Sequence, residues 1–127
     1  MEIIRISSGA PWEGKIGYSR VVRAGNIIEF NGSVAVKDGK VVGLNDPYAQ
    51  AVFIINLMEE YLNKVESSLE YVIKCRVYLT DKNQWDDVSR AFSEKFFDIK
   101  PCLTMLVVKE LVSPEYLIEI EATAVGT

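Results

Sequence analysis

The segment LIEIEATAV, residues 117–125, decides the fold class of this 127-residue chain. Apolar and polar side chains alternate along it, which is the pattern of a β-strand with one buried face. The apolar face carries Ile118, Ile120, Ala122 and Ala124. The opposite face carries Leu117, Glu119, Glu121 and Thr123. We therefore predict a strand that packs against helices through its apolar face alone.

Two amphipathic helices upstream of this strand are predicted to cover the apolar face. Asp46 and Pro47 form a helix start, because aspartate accepts hydrogen bonds from free N–H groups and proline fits the first helical position. Apolar residues then recur every three or four positions, which predicts a helix from about 47 to 65. A second helix is predicted after a cap at Asp81 or Asn83, with apolar residues at Trp85, Val88, Phe92 and Phe96.

The remaining pattern predicts short strands joined by turns. Gly25-Asn26 predicts a turn between strands at 18–24 and 27–30, and Asp38-Gly39 predicts a second short hairpin within 34–42. Residues 73–79 and 103–108 complete the set of predicted strands, and residues 9–17 are predicted to form a loop. The result is one α+β domain over residues 1–127, a mixed sheet with two helices on one face. The other sheet face stays uncovered, which favours self-association.

Composition limits the classes of function. The chain is 49% hydrophobic and 25% charged, has a formal net charge of -4 and contains no histidine. This balance argues against nucleic acid as the main partner, and it removes the commonest general base and metal ligand. No nucleotide-binding or zinc-binding motif is present, so we expect no cofactor and no metal. No apolar stretch is long enough for a bilayer and no signal peptide is recognisable, so we expect no membrane partner and a cytoplasmic location.

Glu119 and Glu121 are the first candidates for chemistry. They share one strand face roughly 7 Å apart, close enough for each to raise the pKa of the other if both are desolvated. Such a carboxylate could activate water or transfer a proton. The alternative is a solvated strand face whose charges guard against aggregation.

Three cations accompany these carboxylates on the predicted uncovered side of the sheet, namely Arg20, Lys74 and Arg76. They could bind an anionic ligand through guanidinium contacts. The alternative is that they form salt bridges with Glu119 and Glu121.

Six segments in order along the chain resemble the RidA/YjgF family, once labelled endoribonuclease L-PSP or translation inhibitor. They are GYSRVVRAG (17–25), FNGSVAV (30–36), DPYAQA (46–51), CRVYLTD (75–81), the helix from Trp85 to Phe96, and IEIEATAV (118–125). The resemblance implies a chorismate-mutase-like domain, a homotrimer with sheets facing inward, and small-molecule ligands in clefts between subunits. Well-known members hydrolyse reactive enamines and imines such as 2-aminoacrylate to 2-oxo acids and ammonia.

The resemblance also implies roles for individual residues. Glu119 corresponds to the catalytic glutamate that positions water, while Tyr18 and Gly32 correspond to residues that shape the pocket. The family's usual Pro-x-Arg-Ser motif is Pro101-Cys102-Leu103-Thr104 here, so leucine replaces the arginine that binds the substrate carboxylate. Ser89 replaces a usual asparagine. The other predicted ligand-binding residues are Arg20, Thr104 and Met105.

Three functions remain open at this point. The first is a Rid-like hydrolase or deaminase acting on a metabolite other than a simple 2-imino acid, with Arg20 or backbone N–H groups replacing the missing anchor. The second is a non-catalytic trimer that binds a metabolite or a protein. The third is a ribonuclease or translation inhibitor, which the acidic charge and the lack of histidine disfavour.

Overall fold

A computed structural model describes residues 1–127 and contains one six-stranded sheet. Its strands are β1 (Ile3–Ile6), β2 (Val21–Ala24), β3 (Ile27–Ser33), β6 (Val72–Leu79), β7 (Cys102–Val107) and β8 (Ile118–Val125), in the order β1-β2-β3-β8-β6-β7. β7 runs parallel to β6, and all other neighbours are antiparallel. Strands β4 (Val36–Lys37) and β5 (Lys40–Val41) form the small second hairpin around Asp38-Gly39.

Both predicted helices are present. Helix α1 spans Pro47–Lys64, and its Asp46 cap accepts a hydrogen bond from the backbone N–H of Ala49. Helix α2 spans Trp85–Phe96 and follows a short helical turn capped by Asp81. Neither helix is both long and apolar enough to cross a membrane.

The two faces of the sheet differ as the alternation in β8 predicts. Ile118, Ile120, Ala122 and Ala124 are all buried in one cluster with the inner faces of α1 and α2. The mixed sheet with two helices on one face is thereby confirmed. Glu119, Glu121 and Thr123 lie on the face that no helix covers, and Lys74 and Arg76 of β6 lie beside them.

Three local features differ from the prediction. β1 was not expected, and it pairs with β2 to extend the sheet. The predicted loop at 9–17 contains a helical turn at Glu13–Gly17, because the Glu13 side chain is drawn inward to hydrogen-bond donors. β6 begins at Val72, one residue before the predicted 73–79, and an irregularity between Val72 and Lys74 turns Val72 into the core and Ile73 outward.

Candidate functional site

The Glu119 carboxylate lies against Gly32 at an irregular point in the sheet. Between the paired positions Phe30↔Ala122 and Ser33↔Ile120, β3 has two residues where β8 has one, which is the count of a β-bulge. A Cβ atom at Gly32 would lie 2.6 Å from Oε2 of Glu119, so only glycine fits here without displacing the carboxylate. The bulge and the glycine together make the space that Glu119 occupies.

Glu119 differs from its neighbour Glu121 in what it binds. Glu121 Oε1 accepts hydrogen bonds from Nε of Arg76 at 2.6 Å and from the Tyr78 hydroxyl at 2.8 Å. Glu119 is partly buried, and no salt bridge or side-chain hydrogen bond of the chain engages it. One carboxylate of the pair is therefore neutralised, while the other has unused acceptor capacity.

The surroundings of Glu119 raise its pKa. Burial is the main cause, the negative charge of Glu121 adds to it, and the positive charge of Arg20 opposes both. A carboxyl group with a raised pKa can exchange its proton nearer to neutral pH than an ordinary glutamate. The two glutamates thus share one strand face, and Glu119 is the one whose carboxylate stays without a partner in its chain.

Arg20 is held by its own chain. Its Nη2 donates to Oε2 of Glu13 at 3.0 Å, and its Nη1 donates to Oγ of Ser33 at 2.6 Å and to the Gly32 carbonyl at 3.4 Å. The side chains of Arg20 and Glu13 are 11% and 2% exposed. Within the single chain, the charge of Arg20 is paired with Glu13 and its guanidinium donates to Ser33 and Gly32, so its role as an anchor for an anionic ligand stays a prediction.

Of the cations on the open sheet face, Arg76 follows the alternative expectation and pairs with Glu121. Lys74 does not reach a carboxylate, and its Nζ donates to Oγ1 of Thr104 at 2.6 Å. The open face is therefore a connected polar surface and not a row of free cations.

The predicted residues of β7 are separated from Glu119 within one chain. β6 lies between β7 and β8, so the two strands are roughly 10 Å apart. Parallel pairing places Leu103 and Met105 on the helix side with Cys75 and Val77, and Thr104 on the open side with Arg76. Leu103 nevertheless remains 40% exposed, because no residue of its own chain covers it fully.

Tyr18 and Ser89 complete the predicted set. The backbone N–H of Tyr18 donates to the Glu13 carbonyl at 3.2 Å, which places Tyr18 between the helical turn and β2. Ser89 lies on α2, whose buried residues pack into the core on the helix side of the sheet. A single chain thus brings together Glu119, Gly32 and Arg20, and leaves Ser89, Leu103 and Met105 on the other side.

Sequence reasoning missed Glu13 as part of this site. The residue lies in a segment rich in glycine and charge, where a surface loop is the usual outcome, yet it is only 3% exposed. Ser7, Ser8 and Arg20 all donate to it. The sequence signal for this cluster is a lone glutamate with two serines before it and an arginine after it.

Comparison with known proteins places this arrangement in a family. The family model named endoribonuclease L-PSP matches residues 10–126. A solved Mycobacterium tuberculosis structure from the highly conserved YjgF/YER057c/UK114 family superposes with a TM-score of 0.89 at 31% identity, covering 98% of this chain and 99% of that one. The chain belongs to the RidA/YjgF family.

Other RidA/YjgF relatives are similarly distant. An uncharacterized Streptomyces coelicolor protein is 33% identical over 120 residues, which are 94% of this chain and 90% of that protein. A RutC family protein of Pyrococcus horikoshii is 32% identical over 109 residues, 84% of this chain and 85% of that protein. Because a further relative, mmf1 of Schizosaccharomyces pombe, is named as mitochondrial, a cytoplasmic location for this RidA/YjgF member stays a prediction.

Proposed function

We propose that the protein is a RidA/YjgF-family hydrolase that deaminates a small uncharged enamine or imine, with Glu119 as the catalytic residue. The observation that carries the proposal is the state of Glu119, a partly buried carboxylate with a raised pKa and no bound partner in its chain. A carboxylate with a purely structural role resembles Glu121, whose oxygen is already occupied by an arginine and a tyrosine.

The proposed chemistry needs one group that moves protons. Water adds to the imine carbon, and Glu119 carries a proton from the water oxygen to the imine nitrogen. When the resulting carbinolamine breaks its C–N bond, Glu119 again moves a proton from oxygen to nitrogen, so that a carbonyl product and ammonia leave. A carboxyl group whose pKa is raised by burial suits both directions of transfer.

The proposed substrate lacks a carboxylate. Leu103 stands where the family resemblance expects an arginine, and the Arg20 guanidinium is held by Glu13 and Ser33. Leu103 and Met105 offer apolar surface and cannot replace charge-assisted hydrogen bonds to an anion. An uncharged nitrogen compound therefore fits this set of side chains better than a 2-imino acid.

The proposed cleft lies between copies of the chain in a homotrimer. Within one chain, Leu103 and Met105 are on the other side of the sheet from Glu119, and Leu103 is 40% exposed. A neighbouring copy that covers the open sheet face could place its own β7 beside Glu119. Light scattering at micromolar concentration tests this point, and a monomeric mass would contradict the shared cleft.

The test of function is ammonia release by the purified protein from two substrates. One is benzophenone imine, an uncharged ketimine, and the other is 2-aminoacrylate generated enzymatically in the assay. We expect turnover of the uncharged imine, and a loss of about a hundredfold in the Glu119→Gln variant, because the amide cannot transfer the proton. The matched control is Glu70→Gln, the same chemical change at an exposed residue of the short helical turn Leu69–Tyr71.

The Leu103→Arg variant tests the substrate class. Restoring a guanidinium should raise the rate with 2-aminoacrylate at least tenfold, since a hydrogen bond to a charged group contributes about 1.5–3 kcal/mol. If neither substrate is hydrolysed above background, or if Glu119→Gln keeps the full rate, the hydrolase proposal is wrong and a non-catalytic binding protein remains.

A further inference from the structure

Glu13 and Arg20 form a buried ion pair at the edge of the site, which we call the Glu13–Arg20 clamp. Glu13 Oε1 accepts hydrogen bonds from Oγ of Ser7 at 2.6 Å and from the backbone N–H of Ser8 at 2.8 Å, and its Oε2 contacts the Ser8 hydroxyl. Burial alone would raise the pKa of Glu13, but the donors Ser7 and Ser8 and the Arg20 charge outweigh it and lower that pKa. Glu13 is therefore a negative charge at neutral pH.

The other end of Arg20 reaches the residues that surround Glu119. Its Nη1 donates to Ser33 at 2.6 Å and approaches the carbonyl of Gly32, the residue against which the Glu119 carboxylate lies. Arg20 is thus adjacent to an unpaired carboxylate, and its charge acts on Glu119. It nevertheless forms its salt bridge with Glu13.

We propose that Glu13 is a positioning residue for the site, which holds Arg20 on Gly32 and Ser33 and thereby keeps the guanidinium from pairing with Glu119. This inference rests on the proposed role of Glu119 as the proton-transferring group. Without Glu13, an arginine with an uncompensated charge would lie next to a free carboxylate, and a bidentate pair would consume the oxygens that bind water. Glu13 touches no reacting atom in this scheme and acts through Arg20.

The charged groups around Glu119 are few enough for a clean test. On β8, the other carboxylate is Glu121, and it is paired with Arg76. From β6, Tyr78 is the residue paired with Glu119. On β3, the adjacent residue is Gly32, which carries no charge. Arg20, which directly precedes β2, is the nearby cation and is paired with Glu13. Changing Glu13 therefore alters one charge near Glu119 and leaves the Arg76–Glu121 pair intact.

The experiment follows the Glu119 carboxyl carbon by NMR during a pH titration of the intact protein without substrate. Glutamate labelled with carbon-13 at the side-chain carboxyl supplies the signal, and the Glu119→Gln spectrum assigns it. In the Glu13→Gln variant we expect Glu119 to titrate at lower pH than in the wild type, because the Arg20 charge is no longer compensated. The rate profile with benzophenone imine should shift in the same direction, with a loss of about tenfold at its maximum.

A double variant separates positioning from a structural role. Glu13→Gln with Arg20→Met removes both charges, so Glu119 loses the Arg20 charge that lowers its pKa and should titrate at or above the wild-type pH. A double variant that titrates below the wild type would mean that loss of Glu13 lowers the titration point of Glu119 without Arg20, and the proposal would be overturned. That comparison holds even if the single Glu13→Gln variant fails to fold. An unchanged Glu119 titration in a folded Glu13→Gln protein would also overturn it.

The titration distinguishes this inference from the proposed function. Absence of turnover in the wild type contradicts the hydrolase proposal, whereas the titration of Glu119 requires no substrate. The Glu70→Gln variant is the matched control, since it removes a carboxylate outside the clamp and should leave the Glu119 titration unchanged.

Discussion

Two arginine–glutamate pairs flank Glu119, and they differ in depth. The Glu13–Arg20 pair lies where helical turn, β2 and β3 meet, with side chains 2% and 11% exposed. The Arg76–Glu121 pair lies on the open sheet face, with side chains 28% and 31% exposed. In the first pair, serine hydroxyls, a backbone N–H and a carbonyl surround both ions, whereas the second adds only Tyr78 and Thr123.

Because the two pairs are buried to different depths, the loss of one partner should change stability by different amounts. A buried pair stabilises little compared with an apolar replacement, but removing one partner leaves a desolvated charge. A pair that solvent reaches contributes little and tolerates replacement. Glu119 lies on β8 against Gly32, and the inner pair contacts Gly32 through Arg20. The outer pair instead includes Glu121, the neighbour of Glu119 on the same strand face.

The largest expected effect comes from breaking the inner pair on one side. Arg20→Met leaves Glu13 ionised and buried, and should lower the free energy of unfolding by about 3 kcal/mol. Adding Glu13→Gln to this variant should recover part of the loss, because the stranded charge is gone. Urea unfolding at fixed protein concentration measures both variants. Equal stability of the single and double variants would remove the distinction between the two pairs.

How far the sequence predicts this arrangement depends on the range of the interactions. The alternation in 117–125 and the Asp46-Pro47 helix start are local signals, and both correspond to observed elements. The Glu13–Arg20 contact depends on how a helical turn folds back on β3, which no local pattern encodes. The bulge at Gly32 and the outward turn of Ile73 are likewise products of strand register.

The position of Leu103 shows the same limit in the proposed site. Sequence comparison with the family motif identifies the substitution of an arginine, yet the side of the sheet on which Leu103 lies follows from its parallel pairing with Cys75. Parallel or antiparallel pairing of an edge strand cannot be derived from its own residues. The relation of Leu103 to Glu119 therefore became visible only in the folded chain.

A smaller effect is expected from the outer pair. Water reaches both partners in the single chain and can solvate Glu121 when the arginine is absent, so Arg76→Met should lower the free energy of unfolding of the monomeric protein by about 1 kcal/mol or less. Thermal unfolding beside Arg20→Met under the same buffer and concentration measures the contrast. A loss as large as that of Arg20→Met in a protein that light scattering shows to be monomeric would remove the contrast between the two pairs, whereas such a loss is expected in the proposed homotrimer, where neighbouring copies cover the sheet face.

The smallest expected effect is a change in stability with pH, which should have opposite signs for Glu119→Gln and Glu13→Gln. The pKa of Glu119 is raised in the folded state, chiefly by burial, so its contribution to stability is present below the ordinary glutamate pKa of about 4.3 and is lost as pH rises through the folded value. Glu119→Gln should therefore stabilise the protein at pH 7, by less than about 1 kcal/mol because the side chain is only partly buried, and the gain should vanish near pH 4. The pKa of Glu13 is lowered in the folded state, so Glu13→Gln should destabilise at pH 7 and less so as pH falls through that lowered value. Thermal unfolding of both variants at pH 7 and pH 4 gives the two signs, and a Glu119→Gln protein less stable than the wild type at pH 7 would mean that its carboxylate has a partner in solution.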